Sequence, residues 1–193
     1  MTTALLVIDA QRSFLQRESW SAASDPEIAD TIARLVEHHR DRGDHIVWVL
    51  HTQPGSGTVF DPARGFVELM EGLSPAEGEP VRTKTVHNAF TGTDLSEVLA
   101  DWGVDEVTVC GVRTEQCCET TARVASDLGL RVTFAVDATA TEPIEAPGSP
   151  AGRSVAEILA DPRTLLPEDI ITRTVYALSG RFADVRTVAE IIG

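Results

Sequence analysis

The chain has 193 residues, 42% hydrophobic and 24% charged, a composition that supports a packed core and excludes a disordered chain. Thirty acidic against sixteen basic residues leave a net charge of −14, which repels phosphate backbones and anionic lipid headgroups, so no nucleic acid or membrane partner is expected. The three cysteines, Cys110, Cys117 and Cys118, lie within nine positions and match no zinc spacing, which excludes a secreted disulfide framework.

The predicted elements begin with Ala4 to Ile8, a continuous apolar run that reads as a strand buried on both faces and ends at Asp9. The N-terminus shows neither a basic leader nor a long apolar stretch, and no segment approaches the ~20 apolar residues of a membrane span, so a reducing cytoplasm is the expected location. Gln11, Arg12, Phe14 and Trp20 fall in a connecting loop. Asp25 and Pro26 open a helix whose inner stripe is Ile28, Ile32, Leu35, Val36 and His39, and Gly43 ends it. His45 to Leu50 is a second buried strand, followed by His51 and a Gly/Pro-rich loop whose G-S-G lacks a Walker lysine. A short helix is predicted over Ala63 to Met70, and a third strand over Glu79 to Thr85 with Lys84 near its end.

Thr93 or Asp94 caps a helix running through Ala100. Glu106 to Cys110 is the next strand, Gly111 punctuates it, and Thr114 stands as N-cap of a helix reaching Leu128, with Gly129 closing it. Cys117 then takes the third helical position, where unpaired N–H groups and the helix dipole favour a thiolate. It reads either as a nucleophile or as a small apolar member of the stripe Cys117, Thr121, Val124 and Leu128. Leu130 to Val136 makes a strand ending at Asp137. Residues 138–169 carry five of the ten prolines and read as a long loop, a lid or subunit contact, with a short helix near Ser154 to Ala160. Ile170 to Thr174 is the last predicted strand, and a terminal helix follows.

Alternation of strand and helix predicts one α/β domain over 1–193, a three-layer, doubly wound parallel sheet with helices on both faces. The strand ends bring Asp9, Lys84 and the Cys117 turn to one edge, where ligands bind in open α/β sheets. Singly, Asp9 reads as a loop or capping acid and Lys84 as a surface charge; their coincidence raises the functional reading of all three.

L-L-V-I-D-A-Q-R-S-F at the start, K-T-V-H-N-A-F from Lys84 to Phe90, G-V-R-T-E-Q-C at Gly111 to Cys117 and V-D-A at 136–138 together resemble the isochorismatase-like cysteine hydrolases, among them nicotinamidases and N-carbamoylsarcosine amidases. The resemblance covers most of the chain. It implies a Rossmann-like sheet of order 3-2-1-4-5-6, assembly into homo-oligomers (dimers or tetramers), and a catalytic triad of Asp9, Lys84 and Cys117. It also implies an oxyanion hole from the backbone N–H groups of Cys117 and of Arg113 after a cis Val112–Arg113 peptide. Nicotinamidases of this group carry a metal-binding D-x-H-x-x-H after the second strand, whereas here His51 precedes T-Q-P-G-S-G, so neither a metal nor another cofactor is expected.

The chemistry is coherent on its own terms. Asp9 can accept the Cys117 proton and return it to a leaving amine, and Lys84 can hold the pair, giving a metal-independent cysteine amidohydrolase for a small amide or carbamoyl compound. Gln11, Phe14, His87 and Phe90 are candidate pocket residues, with Trp20 and Phe60 near the same mouth. The alternatives are vinyl ether hydrolysis of the isochorismatase type, which needs the acid and no thiol, and a non-catalytic or thiol-sensing protein using Cys117 and Cys118. Cys118 and Cys110 read as packing residues.

Overall fold

The computed structural model describes residues 2–193. Its centre is β1 (Thr3–Ile8), six residues that are all buried. Leu5 and Val7 point to one face and Ala4, Leu6 and Ile8 to the other, the period-2 alternation of a strand covered on both sides. β2 (His45–His51) and β4 (Glu106–Val112) flank it, β3 (Val81–Lys84) lies outside β2, and β5 (Arg131–Ala140) and β6 (Asp184–Arg186) extend the other side. The six strands pair in parallel in the order 3-2-1-4-5-6.

Helices close both faces. α1 (Arg12–Leu15), α2 (Ile28–Arg42) and, after β6, α7 (Val188–Ile192) cover the Leu5/Val7 side. α3 (Leu95–Asp101), α4 (Glu119–Asp127) and α6 (Pro167–Leu178) cover the other. α2 buries the expected stripe, Ile28, Ile32, Leu35, Val36 and His39, and ends at Gly43, whose φ of 75° is the left-handed turn that stops a helix.

Four expectations change. Ile170 to Thr174 is not a strand but part of α6: Pro167 opens that helix, Glu168 and Asp169 sit at its positive end, and Ile170, Thr174 and Leu178 form a buried i, i+4, i+8 stripe. The last strand is the three-residue β6. Only Pro62–Arg64 forms a helical turn where Ala63 to Met70 was expected to be helical, because Gly65 enters the left-handed region and Leu69 bridges Gln11. Arg12 and Phe14 lie in α1 rather than in a loop, and Trp20 in a 3-10 turn, Glu18–Ala22.

The 138–169 segment is more ordered than a bare loop. β5 runs on to Ala140, with a register shift opposite Val109 and Gly111, and Ile144 bridges Leu165. α5 (Val155–Ala160) starts on a capping box in which Ser154 and Glu157 satisfy each other's backbone N–H groups. Among the described residues no helix is long and apolar enough to cross a membrane.

Candidate active site

β1 and β4 are adjacent, and the chain leaves them towards opposite sides of the sheet, so a crevice opens beyond their carboxyl ends. Asp9 follows β1. Its N–H donates to the Val49 carbonyl at 2.8 Å, and its φ of 51° turns the chain through the left-handed region, a conformation Asp accepts at a cost of about 1–2 kcal/mol. Lys84 closes β3, paired in register with His51 at the end of β2. The lysine is no surface charge: it is 1% exposed.

Lys84 Nζ donates to Asp9 Oδ2 at 2.6 Å, to the Val86 carbonyl at 3.1 Å and to Cys117 Sγ at 3.4 Å. Three groups from sequence positions 9, 84 and 117 thus share one buried point. The second carboxylate oxygen, Asp9 Oδ1, is buried with no hydrogen-bond partner among the described residues. Burial raises the Asp9 carboxyl above its ordinary value, with Lys84 opposing the shift.

The β4–α4 turn differs in detail from the expectation. Thr114 does not cap the helix: Arg113 precedes the first turn, and Thr114 Oγ pairs with Thr139 Oγ at 2.9 Å. That first turn, Thr114–Cys118, is a π-turn in which the Cys118 N–H reaches the Arg113 carbonyl at 3.2 Å. Cys117 is therefore the fourth residue of the turn, not the third. Nor does the site favour a resting thiolate, since burial first and the Asp9 carboxylate second push the Cys117 thiol well above its ordinary value, against the pull of Lys84. A thiol of this kind needs a base at the moment of attack.

The extra residue in the turn also separates the two cysteines. Cys118, Ala122 and Ala125 are all 0% exposed, while of the expected stripe Cys117 and Thr121 are buried, Val124 packs against the core and Leu128 is exposed. Cys110 is equally buried, with its sulfur towards the Leu6 carbonyl. Cys117 instead borders an open pocket of about 200 Å3. The Val112–Arg113 peptide is cis.

Phe14 and His87 line this pocket as expected, together with Asp9, Arg113 and Cys117. Phe60 also lines it and packs edge-on against Phe14 at 5.1 Å. Gln11 and Phe90 do not. Gln11 is a buried clamp that accepts the His51 N–H at 2.7 Å and donates to the His51 carbonyl at 3.0 Å, joining the ends of β1 and β2. Phe90 and Trp20 belong to the hydrophobic core. Arg17, His51, Gln53, Thr85 and Gln116 complete the lining and were missed, because side chains at strand ends, in turns and in loops carry no periodic signal that tells inward from outward.

His51 has a buried, unpartnered Nδ1, and burial first, then Lys84 and His87, pull its imidazole down to about 4. It therefore stays neutral when folded, while the unfolded chain binds a proton below its ordinary 6.5. Stability is expected to fall as pH drops from about 6.5 towards 4, and melting curves of a His51→Gln variant should fall less steeply over that window; parallel curves would refute the assignment.

The donor set does not fit a metal of the nicotinamidase kind. Gln53, Ser56 and Thr58 follow His51 and satisfy one another, Ser56 to Thr58 at 2.8 Å and Thr58 to Gln53 at 3.2 Å. Among the described residues no three His, Cys, Asp or Glu side chains gather as a possible metal site.

The chain is similar in sequence and in structure to known hydrolases. Nicotinamidase 3 of Arabidopsis thaliana is 55% identical over 152 residues, 72% of this chain and 73% of that protein. A streptothricin hydrolase of Streptomyces noursei is 34% identical over 176 residues, 85% of this chain and 68% of that protein. A solved isochorismatase from Pseudomonas putida KT2440 superposes with a TM-score of 0.82 at 30% identity, covering 97% of this chain and 89% of that one. The isochorismatase domain matches residues 3–148, and on that match the chain belongs to the isochorismatase family of hydrolases.

Proposed function

We propose that the protein is a metal-independent cysteine amidohydrolase that cleaves a C–N bond of a small amide or carbamoyl compound. The observation that carries this reading is the single buried point at which Lys84 Nζ touches both Asp9 and Cys117. Two relatives are named for hydrolysis of nicotinamide and of streptothricin, which supports hydrolysis of a small molecule.

In the first step Asp9 takes the Cys117 proton as sulfur attacks the carbonyl carbon, so a thiolate never has to persist in the resting site. The carbonyl electrons move to oxygen, and the backbone N–H groups of Arg113 and Cys117 receive the resulting oxyanion; one such donor is typically worth about 3–4 kcal/mol of barrier. Collapse breaks the C–N bond, and the leaving nitrogen takes the proton back from Asp9. Water then attacks the thioester, giving its proton to Asp9. Collapse releases the acid, and the proton returns to sulfur. Lys84 keeps the carboxylate in place throughout. The three free thiols suit a cytoplasmic home, and sedimentation would test assembly into dimers or tetramers.

A panel of primary amides, carbamoyl compounds and ureides, read by ammonia release, tests the reading. Turnover of at least one class is expected, and prolonged chelation should leave it intact; activity lost to chelator and restored by zinc, iron or manganese would contradict metal independence. One observation favours a second reading. A buried Asp9 with a raised pKa is also the acid that vinyl ether protonation requires. That reaction would fade as pH rises through the Asp9 pKa, whereas the thioester route fades as pH falls through it.

A further inference from the structure

Three lining residues of the catalytic pocket, Arg17, Arg113 and Gln116, also line a neighbouring cavity of about 460 Å3. The catalytic pocket alone, at about 200 Å3, is smaller than the roughly 300–1,000 Å3 of most small-molecule sites, and the two together fall within that range. We propose that the second cavity is a chamber for the rest of the substrate, which is therefore an amide or carbamoyl compound with an apolar arm bearing a carboxylate or carbonyl acceptor. This rests on the amidohydrolase reading and adds the substrate class.

The walls set the chemistry of the arm. Ala22 of the 3-10 turn, Pro143, Ile144, and Val155 and Ile158 of α5 give the chamber an apolar side. That side is held in place, because Arg153 pairs with Glu145 at 2.6 Å and with Asp161 at 2.9 Å, tying the segment before α5 to the residue that ends it. The long segment 138–169 thus builds a wall beside the site.

Arg17 stands at the junction. Its Nε donates to Glu142 Oε1 at 3.1 Å, and Glu142, also held by Ser19, is fully buried. Among the described residues neither terminal nitrogen of Arg17 has a hydrogen-bond partner, so the guanidinium is anchored from behind and its fork is unused. A fork of parallel N–H groups suits a carboxylate or a carbonyl oxygen. Arg113 is committed elsewhere: its Nε donates to Thr141 Oγ1 at 3.3 Å and its Nη2 to the Glu142 carbonyl at 3.0 Å.

Propanamide, hexanamide and adipamic acid test the chamber, with kcat/KM from ammonia release and binding to the Cys117→Ala protein by calorimetry. Hexanamide is expected to exceed propanamide at least tenfold in both measurements. Ile158→Trp, which fills the chamber, should bring that ratio close to one in protein whose melting curve shows it folded. Arg17→Lys keeps the charge beside Glu142 but removes the fork, and should weaken adipamic acid at least fivefold more than hexanamide, in KM rather than kcat. Equal binding of propanamide and hexanamide, or a ratio unmoved by Ile158→Trp, would overturn the chamber. If no member of the amide, carbamoyl and ureide panel releases ammonia, the amidohydrolase reading falls, and the calorimetric ratio still decides the chamber.

Discussion

Cys117→Ala is expected to lower kcat by about 10⁴-fold or more, the scale seen when a covalent nucleophile is removed. The melting temperature should stay close to that of the parent, since the sulfur borders the pocket and a thiol-to-methyl change removes little packed volume. Asp9→Asn should be comparably damaging, because an amide cannot shuttle the proton. Lys84→Ala should cost stability as well, since it leaves Asp9 buried without its cation, a loss of about 3–5 kcal/mol for broken buried pairs. A vinyl ether hydrolase would tolerate Cys117→Ala and fail only with Asp9→Asn. Stopped assays on the three variants, beside their thermal melts, separate these outcomes.

Gly111→Ala should be the most disruptive single substitution outside the reacting groups. Gly111 lies at the close approach of β4 to β1, where an added Cβ would sit 1.8 Å from the Ile8 carbonyl oxygen, and its φ of 125° disfavours any side chain. Neither atom can yield, because both belong to paired backbone at the sheet centre. A loss above about 4 kcal/mol, or failure to accumulate as soluble protein, is expected. Activity would go with it, since Ile8 directly precedes Asp9 and Gly111 lies three residues before the turn that carries Cys117. Urea denaturation checks this, and a midpoint matching the parent would show that the strands can separate locally at little cost.

β1 and β2 were legible because they are continuous apolar runs bounded by polar residues, the pattern of strands buried on both faces. β6 was not: Asp184, Val185 and Arg186 make a short edge strand with two charges and no periodic signal. The mostly β-branched run Ile170 to Thr174 reads as that missing strand, but its helical burial period and the acidic first turn make it helix. At the site, Asp9, Lys84 and Cys117 could be found because strand ends converge on one edge. The lining was harder. Gln11 and Phe90 have pocket chemistry yet point into hydrogen-bonded and apolar cores, while Arg17 and Gln116 reach the pocket only through the packing of the 3-10 turn and the π-turn. The thiol's protonation was misjudged for a related reason: position near a helix start is a local cue, whereas the desolvation that dominates it comes from the whole fold.

Rapid-quench mass spectrometry of the protein mixed with a turned-over amide tests the thioester most directly. Acid quenching during turnover is expected to show a population heavier by the acyl group, mapping to the peptide that carries Cys117, and absent from Cys117→Ala. Turnover without any adduct, together with undiminished activity in the Cys117→Ala protein, would contradict covalent catalysis by this cysteine.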